Sequence, residues 1–167
     1  MSVRSLSVTT MTPTATADTV ALTDATHISL QGSTATERLV IQEVYAGGQA
    51  PSASSPTYLV LARHSTAGAT LSLTVGAKDA ATDGSSATGT ARGYNTATTK
   101  PQRSATLGLL NCSLNAFGGN FKWFPSNIPG KDISSVGNTA SLGELGLSAF
   151  TGGTVGPVGA HILYEAV

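Results

Sequence analysis

The chain has 167 residues, which suits a single domain with one hydrophobic core. Charged residues make up 11% of it, against roughly 25% in an average soluble domain. Its 9 basic residues balance its 9 acidic ones, which argues against a dedicated nucleic-acid binder, because such a protein needs a basic excess. No direct nucleic-acid partner is therefore expected, and little long-range charge repulsion opposes self-association.

The N-terminal part of the sequence carries neither a targeting segment nor a membrane signal. Residues 1–8 contain no apolar run of the length that a signal peptide requires, and no stretch approaches the roughly 18 apolar residues of a membrane span. Synthesis in the cytoplasm and no membrane partner are therefore expected. The Ser-, Thr- and Ala-rich segment 7–17 indicates an extended conformation. Residues 1–17 are accordingly predicted to be an N-terminal arm, ahead of a domain over 18–167.

Helix signals are scarce, because Gly, Pro or β-branched residues interrupt nearly every candidate window. The best of these windows, 140–149, contains glycines and is interpreted as strand or loop. Strands are predicted in chain order at 3–8, 19–22, 27–30, 38–45, 58–64, 70–75, 106–117, 120–124 and 160–167. Roughly eight to ten such strands, separated by turn residues, predict an all-β, single-domain, jelly-roll-like β-sandwich.

The segment 38–45 is apolar on two faces. Alternation places Leu39 with Ile41 on one face and Val40 with Val44 on the other. Two partly apolar faces are typical of a strand that lies between a core and a partner.

Two further features concern the middle of the chain. The segments 38–45 and 58–64 flank a Gly-, Ser- and Pro-rich stretch, 46–57, and are therefore expected to pair as a long hairpin. The stretch 79–103 is small, polar and low in complexity, and it is interpreted as an exposed loop. Its basic residues have no acid nearby, which makes them candidate partner contacts: Arg92, Lys100 and Arg103.

The segments 70–75 and 160–167 alternate between apolar and other residues. In 70–75 the apolar residues are predicted to face inward and the hydroxylated ones outward. In 160–167, Ile162 and Tyr164 share one face. A terminal segment this apolar is expected to be a paired strand rather than a loose tail.

No pattern of catalytic or metal-binding residues is evident. The sequence has neither a Gly-x-Ser-x-Gly turn nor a phosphate-binding Gly-Lys-Ser/Thr loop. The histidines lie on separate predicted strands, without metal-ligand spacing: His27, His64 and His161. They are interpreted as edge or interface residues. Glu43 is interpreted as a structural carboxylate that pairs with Arg38, Arg63 or another subunit. No cofactor, metal or catalytic residue is expected, and the chain is predicted not to be an enzyme.

The segment 121–125 is the densest aromatic stretch. Alternation sends Phe121 and Trp123 to one face and Lys122 and Phe124 to the other. One set belongs in a core, and core packing is the commoner role for such residues. An exposed aromatic in the other set would anchor a partner or stack on a sugar ring. Trp123 is retained as a candidate contact.

The arm 7–17, the paired segments 38–45 and 58–63, and the ending 147–165 together resemble phage head-decoration (capsid cement) proteins of the jelly-roll type. The resemblance covers most of the chain and lies in its overall style. It implies a homo-oligomer, a dimer or trimer, that binds the major capsid protein on the outside of the virion and stabilises the shell. Such a protein would be made in the host cytoplasm. No catalytic residue comes with the family.

A cement protein must bury neutral surface against a repetitive lattice, and an extended arm can add a strand to a neighbour's sheet. Residues of the arm are therefore candidate contacts: Arg4, Leu6 and Val8. Two other functions remain open. A receptor- or carbohydrate-binding β-sandwich, such as a fibre tip or lectin, would expose Trp123 or Tyr94 beside polar loops. A self-assembling coat subunit would form closed particles alone.

Overall fold

The computed structural model describes residues 2–11, 27–48, 57–66, 71–78, 89–94, 102–103, 109–115, 117–126, 132–137, 143–151 and 158–167. All regular structure in these segments is β-strand. The strands are β1 (Ser2–Met11), β2 (His27–Gln31), β3 (Leu39–Gly48), β4 (Thr57–Thr66), β5 (Leu71–Ser72), β6 (Gly76–Ala77), β7 (Thr90–Tyr94), β8 (Gln102–Arg103), β9 (Leu110–Leu114), β10 (Gly119–Trp123), β11 (Ser134–Ser135), β12 (Leu145–Thr151) and β13 (Val158–Ala166). The described residues include no helix that is long and apolar enough to cross a membrane.

The strands form two antiparallel sheets. The first sheet has the order β10-β3-β13-β1-β6, and β11 also pairs with β3. The second has the order β5-β7-β2-β12-β4-β8, and β9 also pairs with β4. The two sheets pack together, which confirms the prediction of an all-β sandwich.

The core lies between the sheets and takes alternate residues from the long strands. In β13 the even-numbered positions from Val158 to Tyr164 are buried and the odd-numbered ones are partly exposed. Ile162 and Tyr164 thus share the inward face, as predicted. The largest fully buried side chains are Tyr164, Ile28, Leu30, Leu39, Ile41, Leu59 and Leu61. Burying one such aliphatic side chain stabilises a fold by about 1.5–3 kcal/mol, so this layer supplies the main favourable term.

A bulge in β3 overturns the predicted division of its faces. The pairing with β13 shifts between Leu163 opposite Glu43 and Tyr164 opposite Ile41, so one extra residue, Gln42, is inserted. An extra residue reverses the alternation beyond it. Val44 is therefore fully buried in the core together with Ile41, and not on the opposite face with Val40.

The predicted hairpin of 38–45 with 58–64 is also wrong. β3 lies in the first sheet between β10 and β13, whereas β4 lies in the second sheet between β12 and β9. Both edges of each strand are bonded to strands distant in sequence, so neither has a free edge for the other. β3 and β4 therefore lie in different layers of the sandwich.

The stretch 79–103 is not entirely a loop. β7 pairs with β2 along its whole length, and β8 pairs with the end of β4. β7 was not predicted because its sequence, Thr-Ala-Arg-Gly-Tyr, does not alternate between apolar and polar residues. Ala91 is its only described core residue. The rest of the stretch lies outside the described residues.

Residues Ser2–Met11 of the predicted extended arm form the strand β1. β1 pairs with β13 from Ser2 opposite Ala166 to Met11 opposite Val158, and it also pairs with β6. Residues 12–17, the remainder of the predicted arm, lie outside the described residues.

Candidate functional site

The two sheets differ in the face that each turns away from the core. On the second sheet part of this face, here called the closed face, is buried within the chain itself. Its residues are mostly small or polar: Ser29, Gln31, Val60, Ala62, His64, Glu144, Gly146 and Ser148. The start of β4 and the adjacent β9 lie outside this covered part, since Tyr58 is 42% exposed and Asn111 and Ser113 are exposed. The closed face is thus covered although it contributes nothing to the core between the sheets.

A row of polar side chains crosses the closed face at one end. The register Leu145 opposite Arg63 brings Glu144 beside His64, and the His64 amide donates to the Glu144 carbonyl at 2.9 Å. The imidazole Nδ1 lies 3.3 Å from the Glu144 carboxylate, Oε1. Gln31 is the next residue along the row, because Leu30 pairs with Leu145.

The contact of His64 with Glu144 combines two residue types that catalytic sites use, but neither side chain is open to solvent. The side chains of His64 and Glu144 are 0% and 3% exposed, so a substrate cannot reach them from solvent. Removing one partner of a buried polar contact leaves the other partner unsatisfied, which is costly. The contact therefore helps to hold β4 against β12. The interpretation of His64 as an edge or interface residue is wrong.

Gly146 makes the His64 position possible. A Cβ atom added to Gly146 would overlap the His64 imidazole, so the ring lies directly over the glycine backbone. Sequence reasoning missed both Gly146 and Glu144. No local sequence pattern marks these two residues, since their contacts with His64 depend on the pairing of β12 with a strand distant in sequence.

Arg63 connects the two sheets. Its guanidinium Nη2 donates to the carbonyl of Ser134 at 2.9 Å, and Ser134 belongs to β11 of the first sheet. Burial lowers the pKa of Arg63. Arginine nevertheless stays protonated, so the contact is a charge-assisted hydrogen bond at one end of the sandwich.

The outward face of the first sheet, here called the open face, is partly exposed. Its described residues come from three adjacent strands: Val40, Gln42, Glu43, Tyr45, Lys122, His161, Leu163 and Glu165. Tyr45 lies at its centre, opposite Lys122 on one side and His161 on the other, and is 41% exposed. The face is broad, and large amphipathic side chains line it.

The open face carries one ion pair and one carboxylate without a basic partner among the described residues. Lys122 Nζ lies 3.0 Å from Glu43 Oε2, so Glu43 pairs with Lys122 and not with Arg38 or Arg63, the expected partners. Gln42 Nε2 donates to Glu165 Oε2 at 3.1 Å, whereas Glu165 Oε1 is buried without a hydrogen-bond partner. The paired charges of Lys122 and Glu43 are easier to bury against another protein than lone charges, because their loss of hydration is partly compensated.

His161 sits beside these charges. Burial lowers the pKa of His161, nearby Lys78 lowers it further, and Glu43 raises it. The side chain is therefore biased toward its neutral form. Since His161 lies half-exposed on the open face, its interpretation as an edge or interface residue stays a prediction.

An exposed aromatic edge adjoins the open face. Asn115 Oδ1 accepts the Phe117 amide at 2.9 Å, and the Gly118 amide donates to the Asn115 carbonyl at 3.2 Å. Gly118 has φ 86°, a conformation that glycine adopts without strain. This tight turn presents Phe117 at 92% exposure, and β10 ends before Phe124, which is 64% exposed.

The predicted contact residues are scattered over the fold. The N-terminal three lie opposite core residues of β13: Arg4 opposite Tyr164, Leu6 opposite Ile162 and Val8 opposite Ala160. Arg92 lies in β7 opposite Ser29, and Arg103 lies in β8 opposite His64. Trp123 is partly buried and packs against the core. Lys100 and the aromatic alternative Tyr94 cannot be placed on a surface, because Lys100 and the Tyr94 side chain lie outside the described structure.

Other chemical groups give no second site. No group of three or more His, Cys, Asp or Glu residues that could hold a metal ion occurs in the described segments. Burial raises the pKa of the half-buried Cys112 thiol, although a backbone hydrogen bond with Leu59 lowers it, so burial favours the unreactive thiol form. His27 lies in β2, and its side chain is not described.

No protein-family model, curated protein or solved structure matches the chain.

Proposed function

We propose that this chain is a structural protein that attaches through its open face to a larger protein assembly, and specifically that it decorates the outside of a phage capsid. The observation that carries the proposal is the contrast between the faces. The chain covers most of the outward face of the second sheet but leaves the open face partly exposed, with Tyr45 at its centre. The proposed partner is the major capsid protein. The chain binds it as a homo-oligomer on the exterior of the virion.

Two properties of the open face support attachment to protein. Tyrosine is enriched in protein interfaces because its ring buries apolar area while its hydroxyl can still bond to a partner. The ion pair of Lys122 with Glu43 compensates two of the charges that a partner would bury on this face. Weak attachment of each copy then suffices, because an oligomer that touches a repetitive shell at several points gains affinity through multivalency.

The test uses the purified chain and capsid shells assembled from the major capsid protein of the same genome. Saturable co-sedimentation of the chain with the shells is expected, together with a higher temperature of shell disruption. Tyr45→Ala and Leu163→Ser should each weaken binding, because each removes apolar contact from the open face. Thr74→Ala is the matched control, since Thr74 is exposed on a different part of the molecule.

Three outcomes would overturn the proposal. Binding unaffected by both open-face variants would mean that another surface attaches to the shell. A chain that ignores shells but binds a glycan array would be the receptor- or carbohydrate-binding module. Closed particles formed by the chain alone would identify a coat subunit instead.

A further inference from the structure

We propose that β10 is a self-association edge: it pairs antiparallel with β10 of a second copy, which joins the first sheets of both copies into one continuous sheet. This inference concerns the edge of the first sheet and does not depend on capsid attachment through the open face.

β10 is the edge strand of the first sheet among the described strands. It ends the strand order of that sheet, and β3 is its hydrogen-bonded neighbour. No described strand pairs with the opposite edge of β10, so the backbone N–H and C=O groups of that edge are a template for an added strand. At the other end of the same sheet the edge strand β6 has only 2 residues, so it offers a much shorter template.

The sequence of β10 is complementary to itself. The two copies of β10 would be related by a two-fold axis perpendicular to the sheet. In such an antiparallel pair, residues that lie directly opposite each other point to the same face of the sheet. Centring the axis on Phe121 places Asn120 opposite Lys122, Gly119 opposite Trp123 and Gly118 opposite Phe124. Trp123 and Phe124 then each lie opposite a glycine, a cross-strand combination in which the ring covers the exposed glycine backbone, and Phe121 lies opposite Phe121 of the second copy.

Other registers are less favourable. Centring the axis on Lys122 would place two ammonium groups directly opposite each other, which is destabilising. Centring it on Asn120 would place Trp123 opposite Phe117 of the turn and shorten the paired stretch. Pro125 limits the strand at the far end, because proline has no N–H to donate.

A second copy of the chain, rather than a segment of another protein, is the occupant that these features select. The net charge of the chain is +0, so two copies meet with little long-range repulsion. The exposed Phe124 would cover Gly118 of the second copy and lie next to its Phe117. The two most exposed large hydrophobic side chains among the described residues, at 92% and 64%, would thereby shield each other.

The first experiment measures the dimer dissociation constant of the full chain by sedimentation equilibrium, with variants at one exposed position. Asn120→Lys places a lysine opposite Lys122 in both symmetric pairs, and weakening by about fivefold or more is expected. Asn120→Glu places a carboxylate there instead and should tighten the dimer by a similar factor. Asn120 is exposed, so both variants should fold, which circular dichroism checks.

The second experiment tests the register in a Cys112→Ser background. Directly opposed residues in a non-hydrogen-bonded pair lie close enough for a disulfide. Mixing Asn120→Cys chains with Lys122→Cys chains under mild oxidation should give a covalent heterodimer, whereas each variant alone should cross-link poorly.

A chain that stays monomeric at all concentrations would overturn the inference. So would a dimer whose dissociation constant is the same for both Asn120 variants, or one that Tyr45→Ala disrupts instead. If the chain forms the dimer but does not bind shells, the proposed function is wrong and this inference stands. If the chain binds shells as a monomer, this inference is wrong and the proposed function stands.

Discussion

The closed and open faces belong to sheets of the same sandwich, yet they use their polar residues in opposite ways. On the closed face, His64 and Glu144 are almost fully buried and lie together on neighbouring strands. On the open face, Lys122 and Glu43 form a similar acid–base pair with side chains that are 50% and 28% exposed. The comparison shows that a polar outward face does not identify a surface, because burial within the chain decides whether its residues serve stability or binding.

Side-chain size separates the faces as well. The closed face includes Ser29, Ala62 and Gly146, which allow other groups to approach the sheet closely. The open face includes Tyr45 and Leu163, whose bulk holds a neighbour away but supplies contact area. Substitutions on the closed face should therefore change the free energy of unfolding, and those on the open face should change binding.

The largest expected effect tests the two ion pairs against each other. Glu144→Ala removes one member of a buried pair and should destabilise the fold by about 3–5 kcal/mol. Glu43→Ala breaks the exposed pair with Lys122 and should cost at most about 1 kcal/mol. Urea unfolding of both variants gives the comparison. Equal losses would mean that the closed face is no more enclosed than the open one.

The next effect concerns the glycine under the imidazole. Gly146→Ala should destabilise the chain by about 1–3 kcal/mol, because the new methyl group overlaps the His64 ring. His64→Ala removes that ring, so the double variant should be more stable than the sum of the single effects predicts. A double-mutant cycle of unfolding free energies measures this coupling. Additive effects would show that the ring does not lie over Gly146.

A matched pair of valines sharpens the comparison further. Val60 lies on the closed face and is 5% exposed, whereas Val40 is only partly buried on the open face. Val60→Ala should cost about 1–2.5 kcal/mol, because it removes two buried methyl groups and leaves a gap. Val40→Ala should cost less than half as much. Thermal unfolding of both variants checks the ranking, which a larger loss at Val40 would reverse.

The sequence predicted the strands better than their partners. Alternation correctly placed Ile162 and Tyr164 on one inward face, since period-two patterning is a local property. The hairpin of β3 with β4 failed because pairing depends on which distant strands occupy each edge. The predicted face of Val44 was wrong because strict alternation does not allow for a single inserted residue, Gln42.

The candidate site was less accessible to sequence reasoning than the fold. Glu144 and His64 come into contact only because β12 pairs with β4. The open face likewise combines residues from β10, β3 and β13, which the chain order does not bring together. Only the aromatic run around Trp123 carried a local signal. It correctly raised core packing as one role, and Trp123 packs against the core from the edge strand.

The smallest effect is a pH dependence that belongs to the open face alone. The pKa of His161 is lowered, first by burial and then by Lys78, below the ordinary value of about 6.5 that it has in the unfolded chain. The unfolded state therefore binds the proton first. The contribution of His161 to stability is fully present above about pH 6.5 and is lost as the pH falls toward the folded-state pKa.

The stability difference between the wild type and His161→Gln should accordingly be constant above about pH 7 and should change against the wild type as the pH drops through 6. Urea titrations at a series of pH values measure it, and taking the difference cancels the pH dependence that the two chains have in common. Lys78→Met is the control, because removing one cause of the lowered pKa should reduce the slope. A slope of the opposite sign would mean that Glu43 outweighs both burial and Lys78 at this position.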